Sequence, residues 1–394
     1  MAAALATMLG ATLGAAPPAQ AAASLTQVTG FGSNPGALNM YSYLPTGLPS
    51  GAPLVVALHG CTQSASDYHS HSGWSKYADL WGFAVVFAEQ PSTTNPIINC
   101  FDWGTPSNDS RSQGEALSIY QMIQYAEAHY GVDPHRIYLT GLSAGAGMTS
   151  DLLADYPDVF AAGSIDSGPP AQCSTSGITN TNCTSGTTTK TPAQWGDLVR
   201  NSDPGYAGPW PRVAIWQGSS DTTVNPAAMT ESRDQWTNVW GISQTPSNTQ
   251  TLTGGTTLTN YNDSTGKPAV QTYSVSGMAH GLAVNPGSGT DQCGTTGTYY
   301  LNYICSSYYT ARFFGLDAGT GSPSPTTSPS PTTSPRPCFT ANNYAQTVAG
   351  RAHQSLGYVY ANGSNQAMGL WNVYTVHTLR QSGPNYYVIA DGQC

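Results

Sequence analysis

Residues 136–148 read Arg-Ile-Tyr-Leu-Thr-Gly-Leu-Ser-Ala-Gly-Ala-Gly-Met, and their reading decides the fold. Ile137 to Leu139 is a short apolar run of strand type, and a helical pattern follows from about Ala146 to Ala154. Between them, Gly141-Leu142-Ser143-Ala144-Gly145 fits G-x-S-x-G in the strand–turn–helix context that this pattern needs. Glycines on both sides permit a sharp turn that lifts the Ser143 hydroxyl above a sheet. A helix N-terminus behind it favours developing negative charge. Ser143 is therefore read as a nucleophile rather than a hydroxyl in a small-residue turn.

Outward from this turn, strand-like and helix-like runs alternate. Leu54–Leu58 and Phe83–Phe87 are continuous apolar runs, as expected of strands buried on both faces. Glu115–His129 carries apolar residues at roughly helical spacing. Further strands are expected near Ala161–Ile165, Val213–Trp216 and Val270–Val275, with a helix over Ala228–Trp240. The alternation predicts an α/β fold with a mainly parallel sheet covered by helices.

A serine nucleophile needs a base, and in such a fold the order along the chain is serine, acid, histidine. Only His280, His353 and His377 follow Ser143, and the last two lie beyond a Pro/Ser/Thr-rich stretch. His280, in a glycine-flanked loop after the Val270–Val275 strand, is the expected base. Asp221 follows the Val213–Trp216 strand, where α/β sites gather, and is favoured as the acid over Asp166, one strand earlier. Oxyanion donors are expected from the N–H groups of Ala144 and of Cys61, the latter in His59-Gly60-Cys61. His69 and His71 lack a nearby carboxylate or thiol cluster. No metal or cofactor is expected.

The 394 residues carry a net charge of −9, with only 8 % charged residues against about 25 % in an average soluble domain. No Lys/Arg-rich run occurs, which argues against a nucleic-acid partner, and no apolar run is long enough to span a bilayer. Residues 1–21 read as a signal peptide ending near Ala19-Gln-Ala21. No basic residue precedes Lys76, so a charged leader start is expected upstream. The eight cysteines imply disulfides in a secreted protein. The expected pairs are sequence neighbours: Cys61 with Cys100, Cys173 with Cys183, Cys293 with Cys305, and Cys338 with Cys394. Residues 24–317 form the expected catalytic domain. Residues 318–337, rich in Ser-Pro and Thr-Thr, form a stiff linker, and residues 338–394 a small disulfide-closed domain.

Several stretches together resemble the extracellular poly(3-hydroxybutyrate) depolymerases, which belong with the acetylxylan and feruloyl esterases of carbohydrate esterase family one. They are Leu58-His-Gly-Cys-Thr-Gln63, Asn99-Cys-Phe-Asp-Trp103, the serine pentapeptide, and Trp216-Gln-Gly-Ser-Ser-Asp221. The resemblance implies an α/β-hydrolase catalytic domain, a Ser143–Asp221–His280 triad and an oxyanion hole at Cys61 and Ala144. Residues 343–353 and 360–372 resemble the substrate-binding domain of short-chain-length depolymerases, which often have a histidine at the place of Gln346. The implied substrate is an insoluble polyester surface, met by a secreted monomer. Exposed aromatics in the tail suit such a surface, with about half of them expected in its core. Trp103, Trp216, Arg351, His353 and Trp371 are the candidate substrate contacts. For Trp103, Trp195 and Trp216, core packing is the competing reading. An open crevice without a lid is expected. The rival enzyme reading is a xylan-active acetyl or feruloyl esterase with a carbohydrate-binding tail. A non-catalytic adhesion protein is the rival outside enzymes.

Overall fold

The computed structural model describes residues 23–92, 99–318, 338–355, 357–364, 366–383 and 386–392. The expected signal peptide, residues 319–337 of the expected linker, and Cys394 with its expected bridge to Cys338 lie outside the described residues. The chain divides into two compact units, one on each side of that linker.

The first unit is built on a ten-stranded sheet in the order β1-β2-β4-β3-β5-β6-β7-β10-β9-β8. Its strands are β1 (Thr26–Val28), β2 (Asn39–Tyr43), β3 (Ala52–Leu58), β4 (Ala84–Glu89), β5 (Val132–Leu142), β6 (Ala162–Asp166), β7 (Arg212–Gly218), β8 (Asn248–Thr251), β9 (Thr256–Asn262) and β10 (Pro268–Val275). From β4 through β10 all neighbours run parallel, while the edges, β1-β2-β4 and β10-β9-β8, are antiparallel. Every residue of β3 is buried, as the apolar run requires of a strand covered on both faces. The covering helices are α1 (Ala65–Ser72), α2 (Trp74–Trp81), α3 (Pro106–Asp109), α4 (Gly114–Tyr130), α5 (Ala144–Asp155), α6 (Pro192–Ser202), α7 (Ala227–Trp240) and α8 (Ser306–Phe314). A two-stranded parallel pair, β11 (Leu282–Val284) and β12 (Tyr300–Asn302), lies outside the main sheet. Two large apolar clusters fill the layers.

The expected central strands and helices all occur, most with longer bounds, β6 shifted by one residue at the same length. The edge strands, the β11–β12 pair, α1, α2, α3, α6 and α8 are additions. Three expected disulfides are present: Cys61–Cys100, Cys173–Cys183 and Cys293–Cys305.

In the second unit, β13 (Cys338–Asn342), β17 (Val376–Gly383) and β18 (Tyr386–Ile389) form one sheet, and β14 (Ala352–Ser355), β15 (Tyr358–Ala361) and β16 (Ala367–Leu370) another, with α9 (Asn343–Val348) between β13 and β14 in the chain. Among the described residues, its apolar cluster is six buried side chains, Ala352, Val359, Ala361, Met368, Leu379 and Tyr387. Buried amides knit the rest together. Gln346 donates to the carbonyls of Phe339 and His377, and Asn343 to those of Met368 and Leu370.

Beneath the sheet's working end, Asp166 is buried and accepts from the hydroxyls of Thr140 and Ser164. Burial raises its pKa from 3.8 to about 7. The fold thus favours the neutral acid, so this group's stabilising contribution is full below pH ~4 and is lost as pH rises toward 7. Asp166→Asn, which cannot ionise, is expected to flatten that part of the stability curve, read by urea unfolding at pH 5 and pH 8. An unchanged slope would contradict the assignment.

Candidate active site

The expected site residues lie on loops that leave the carboxyl ends of β3, β5, β7 and β10. Ser143 sits between β5 and α5 with φ 57° and ψ −116°, a conformation that L-residues rarely hold. Packing sustains it. A side chain at Gly141 would collide with the Gly145 carbonyl, and a Cβ at Gly145 would lie 2.5 Å from the carbonyl oxygens of Leu58 and His59. The first turn of α5 is therefore pressed against the end of β3. The Ser143 N–H is held by the Asp166 carbonyl at 3.0 Å, so the turn is anchored to β6 as well.

His280, in the loop after β10, accepts the Ser143 hydroxyl at Nε2 (2.8 Å) and donates from Nδ1 to Asp221 Oδ2 (2.8 Å). Asp221 is buried and fully engaged. Its Oδ1 accepts the N–H groups of Thr223 and Val224, and its Oδ2 also accepts from Gln217. The loop itself is steadied from β10, since Ser219 and Ser220 donate to the carbonyls of Val275 and Met278. Asp166, the rival acid, bonds within the buried layer instead, to Thr140 and Ser164.

The loop after β3 supplies the opposite wall. A Cβ at Gly60 would lie 3.4 Å from Ser143 Cβ, so this loop runs alongside the serine. It is held by His59, which is fully buried and neutral: Nδ1 donates to the Gly60 carbonyl at 2.7 Å and Nε2 accepts the Gln90 N–H at 3.0 Å. Burial lowers its pKa, consistent with that state. Gly60 N–H goes to Gln63 Oε1 and Gln63 N–H to the Gly60 carbonyl, closing a tight turn through Thr62 at φ 65°. Among the described residues, the N–H groups of Cys61 and Ala144 are spent on no other group. Two free donors beside a serine suit an oxyanion.

Three of the expected substrate contacts, Trp103, Trp216 and Arg351, are placed otherwise than an exposed contact requires. Trp216 is 2 % exposed, lies flat on Tyr273 with centroids 3.8 Å apart, and donates from Nε1 to Thr310. Trp103 is buried against Gly147 of α5, and Trp195 is buried too. The Trp216 strand is covered by α8, which the sequence pattern left out, while Trp103 packs on α5, which it had placed. Arg351 is tied to Gln346 at 2.6 Å, with its guanidinium over the Phe339 ring, and so braces the small unit. Gln346 is buried inside that unit rather than on a binding face. His353 is exposed but paired with Asn362 and stacked on Tyr360. Trp371 is half exposed against Tyr344. Of the tail aromatics whose side chains are described, only Tyr387 is buried, far fewer than half.

His69 and His71 make separate contacts, the first among Tyr43 and Phe87, the second stacked on Tyr300. Among the described residues, no group of three or more His, Cys, Asp or Glu side chains could hold a metal ion. No helix there is long and apolar enough to cross a membrane.

A serine on a strained strand–helix turn, above a mainly parallel sheet and bonded to histidine, fits a serine hydrolase of the α/β-hydrolase fold, and the relatives are carboxylic ester hydrolases. Residues 38–245 match the family described as Esterase PHB depolymerase. The chain is 49 % identical over 294 residues to poly(3-hydroxyalkanoate) depolymerase C of Paucimonas lemoignei, covering 74 % of this chain and 70 % of that one. It is 38 % identical to an acetylxylan esterase of Coprinopsis cinerea, over 68 % of this chain and 71 % of the other. An acetyl xylan esterase structure from Aspergillus awamori superposes with a TM-score of 0.63 at 28 % identity, covering 74 % of this chain and 99 % of that one. The chain belongs to the esterase PHB depolymerase family.

If Asp221 fixes the His280 tautomer, Asp221→Asn lowers kcat by roughly 10,000-fold while leaving the fold intact. Steady-state kinetics on a soluble ester, beside a thermal melt, check it. A loss below tenfold would remove Asp221 from the role.

Proposed function

We propose that the protein is a secreted depolymerase that hydrolyses main-chain ester bonds of poly(3-hydroxybutyrate) to monomers and short oligomers, with Ser143, His280 and Asp221 as its triad. His280 takes the Ser143 proton as Oγ attacks an ester carbonyl. The N–H groups of Cys61 and Ala144 hold the tetrahedral oxyanion. His280 then protonates the departing hydroxyl, and water, activated by the same histidine, releases the hydroxyacyl product.

One observation favours a solid polyester over a soluble ester. Of nine exposed large apolar side chains among the described residues, eight lie in the small second unit: Tyr344, Val348, Tyr358, Leu370, Trp371, Val373, Tyr374 and Val376. Four of them meet in pairs, and the stretch from Leu370 to Val376 supplies five of the eight. Tyr344 contacts Trp371, Trp371 bonds Thr347 on α9, and Tyr358 pairs with Leu370 across β15 and β16. Exposed apolar groups gathered in this way mark a binding surface, and methyl-bearing polyester offers both apolar area and carbonyl acceptors. Tethering such a surface to the esterase raises the local concentration of bonds to cut. Three disulfides fit an oxidising compartment.

The test is clearing of a suspension of poly(3-hydroxybutyrate) by wild type, by Ser143→Ala and by a Trp371→Ser/Tyr374→Ser double variant, with acetylated xylan in parallel. Wild type is expected to clear the polymer, and Ser143→Ala to lose turnover by about a millionfold. The double variant is expected to adsorb weakly while keeping activity on a soluble ester. Acetate release from xylan without polymer clearing would overturn the proposal in favour of the xylan-esterase reading.

A further inference from the structure

Beside His280 lies a pocket of 380 Å³ whose chemistry the acyl-transfer steps leave unused. Its lining includes Thr62, Gln63, Asp67, His71, Tyr299 and Tyr300. The volume falls in the range of small-molecule sites, ~300–1,000 Å³. Two contacts fix the pocket beside the reacting centre. Thr62 and Gln63 follow directly on Cys61, and the Tyr299 ring stands edge-on to His280 with centroids 6.2 Å apart.

Gln63 is 6 % exposed, and its Oε1 accepts the Gly60 N–H at 2.7 Å. A side-chain amide has one accepting and one donating end. Since the Gly60 partner is a donor, the oxygen is taken by the loop, and the NH2 group is the free end of a side chain that lines the pocket. Among the described residues no group accepts from this NH2, and its nitrogen is not among the atoms sealed from solvent. A nearly buried amide thus offers unused donors to whatever enters. Such a donor rewards an acceptor and penalises a ligand without one.

A polyester supplies an acceptor at regular intervals, because every repeat carries an ester carbonyl. We propose that Gln63 Nε2 donates to the carbonyl of the repeat next to the one under attack. Gln63 is then a specificity-determining residue that favours oligo- and polyesters over esters with a single carbonyl. The same side chain sets the turn that presents the Cys61 N–H and reads the neighbouring repeat. This inference rests on the polyester reading above.

The experiment uses the full chain and compares kcat/KM on a linear 3-hydroxybutyrate trimer with kcat/KM on p-nitrophenyl acetate. Gln63→Glu keeps an oxygen for the Gly60 N–H but has no donor. A carboxylate near the oxyanion slows both substrates alike, so the readout is the trimer-to-acetate ratio. That ratio is expected to fall about tenfold. Gln63→Met, with neither charge nor donor, must lower the ratio in the same direction, which guards against a Glu variant that folds poorly. Equal losses on both substrates would overturn the inference and leave Gln63 only as a brace of the turn. A wild type that cleaves p-nitrophenyl acetate and leaves the trimer intact would instead overturn the polyester reading itself.

Discussion

The close approach of α5 to the end of β3 is the contact on which the rest depends. Carbonyl oxygens of Leu58 and His59 stand where a side chain on residue 145 would be. That leaves the helix only one way to start, and Ser143 takes up the strain in its backbone. The same contact brings the Gly60–Gln63 turn alongside the serine, so nucleophile and candidate oxyanion donors are set by a single packing decision. No hydrogen bond could substitute, because hydrogen bonds orient groups but do not exclude alternatives as hard contacts do. The imidazole of His59 then ties this turn to the exit of β4, and the Asp166 carbonyl ties the serine to β6.

Much of this could be read from residues alone. Central strands such as β3 and β4 are continuous apolar runs, and only burial on both faces explains them. Elimination led to His280 because few histidines follow Ser143, and position led to Asp221 over Asp166. The structure separates those two aspartates by partner: one faces His280, the other faces hydroxyls under the sheet. The missed elements fail for identifiable reasons. β8 and β9 are rich in Thr and Asn, as an antiparallel edge can be, and lack a buried run. α6 did announce itself, since Thr191-Pro192-Ala193-Gln194 forms a capping box with proline at its first position.

Tryptophan was the least legible residue. Trp103 and Trp216 are apolar bodies with one polar edge, equally suited to a crevice wall or to a core. What decided for the core was the cover: α8 brings Thr310 to the Trp216 indole, and α5 presents Gly147 to Trp103. Neither partner is close in sequence. Gln63 was visible as part of a family-like stretch, but its two ends became distinguishable only when Gly60 was seen to use the oxygen.

Among the described residues of the small unit, six side chains make the buried apolar cluster, while eight large apolar ones face outward. Interior and exterior draw on the same short supply of apolar residues. Amides do the structural work that aliphatic packing does elsewhere, through Asn343, Gln346 and the Arg351 that Gln346 holds. In the binding role proposed for this face, grip and self-cohesion are thus in competition. A tail made stickier by turning another aromatic outward would hold itself together less well, and one made sturdier by turning it inward would let go sooner.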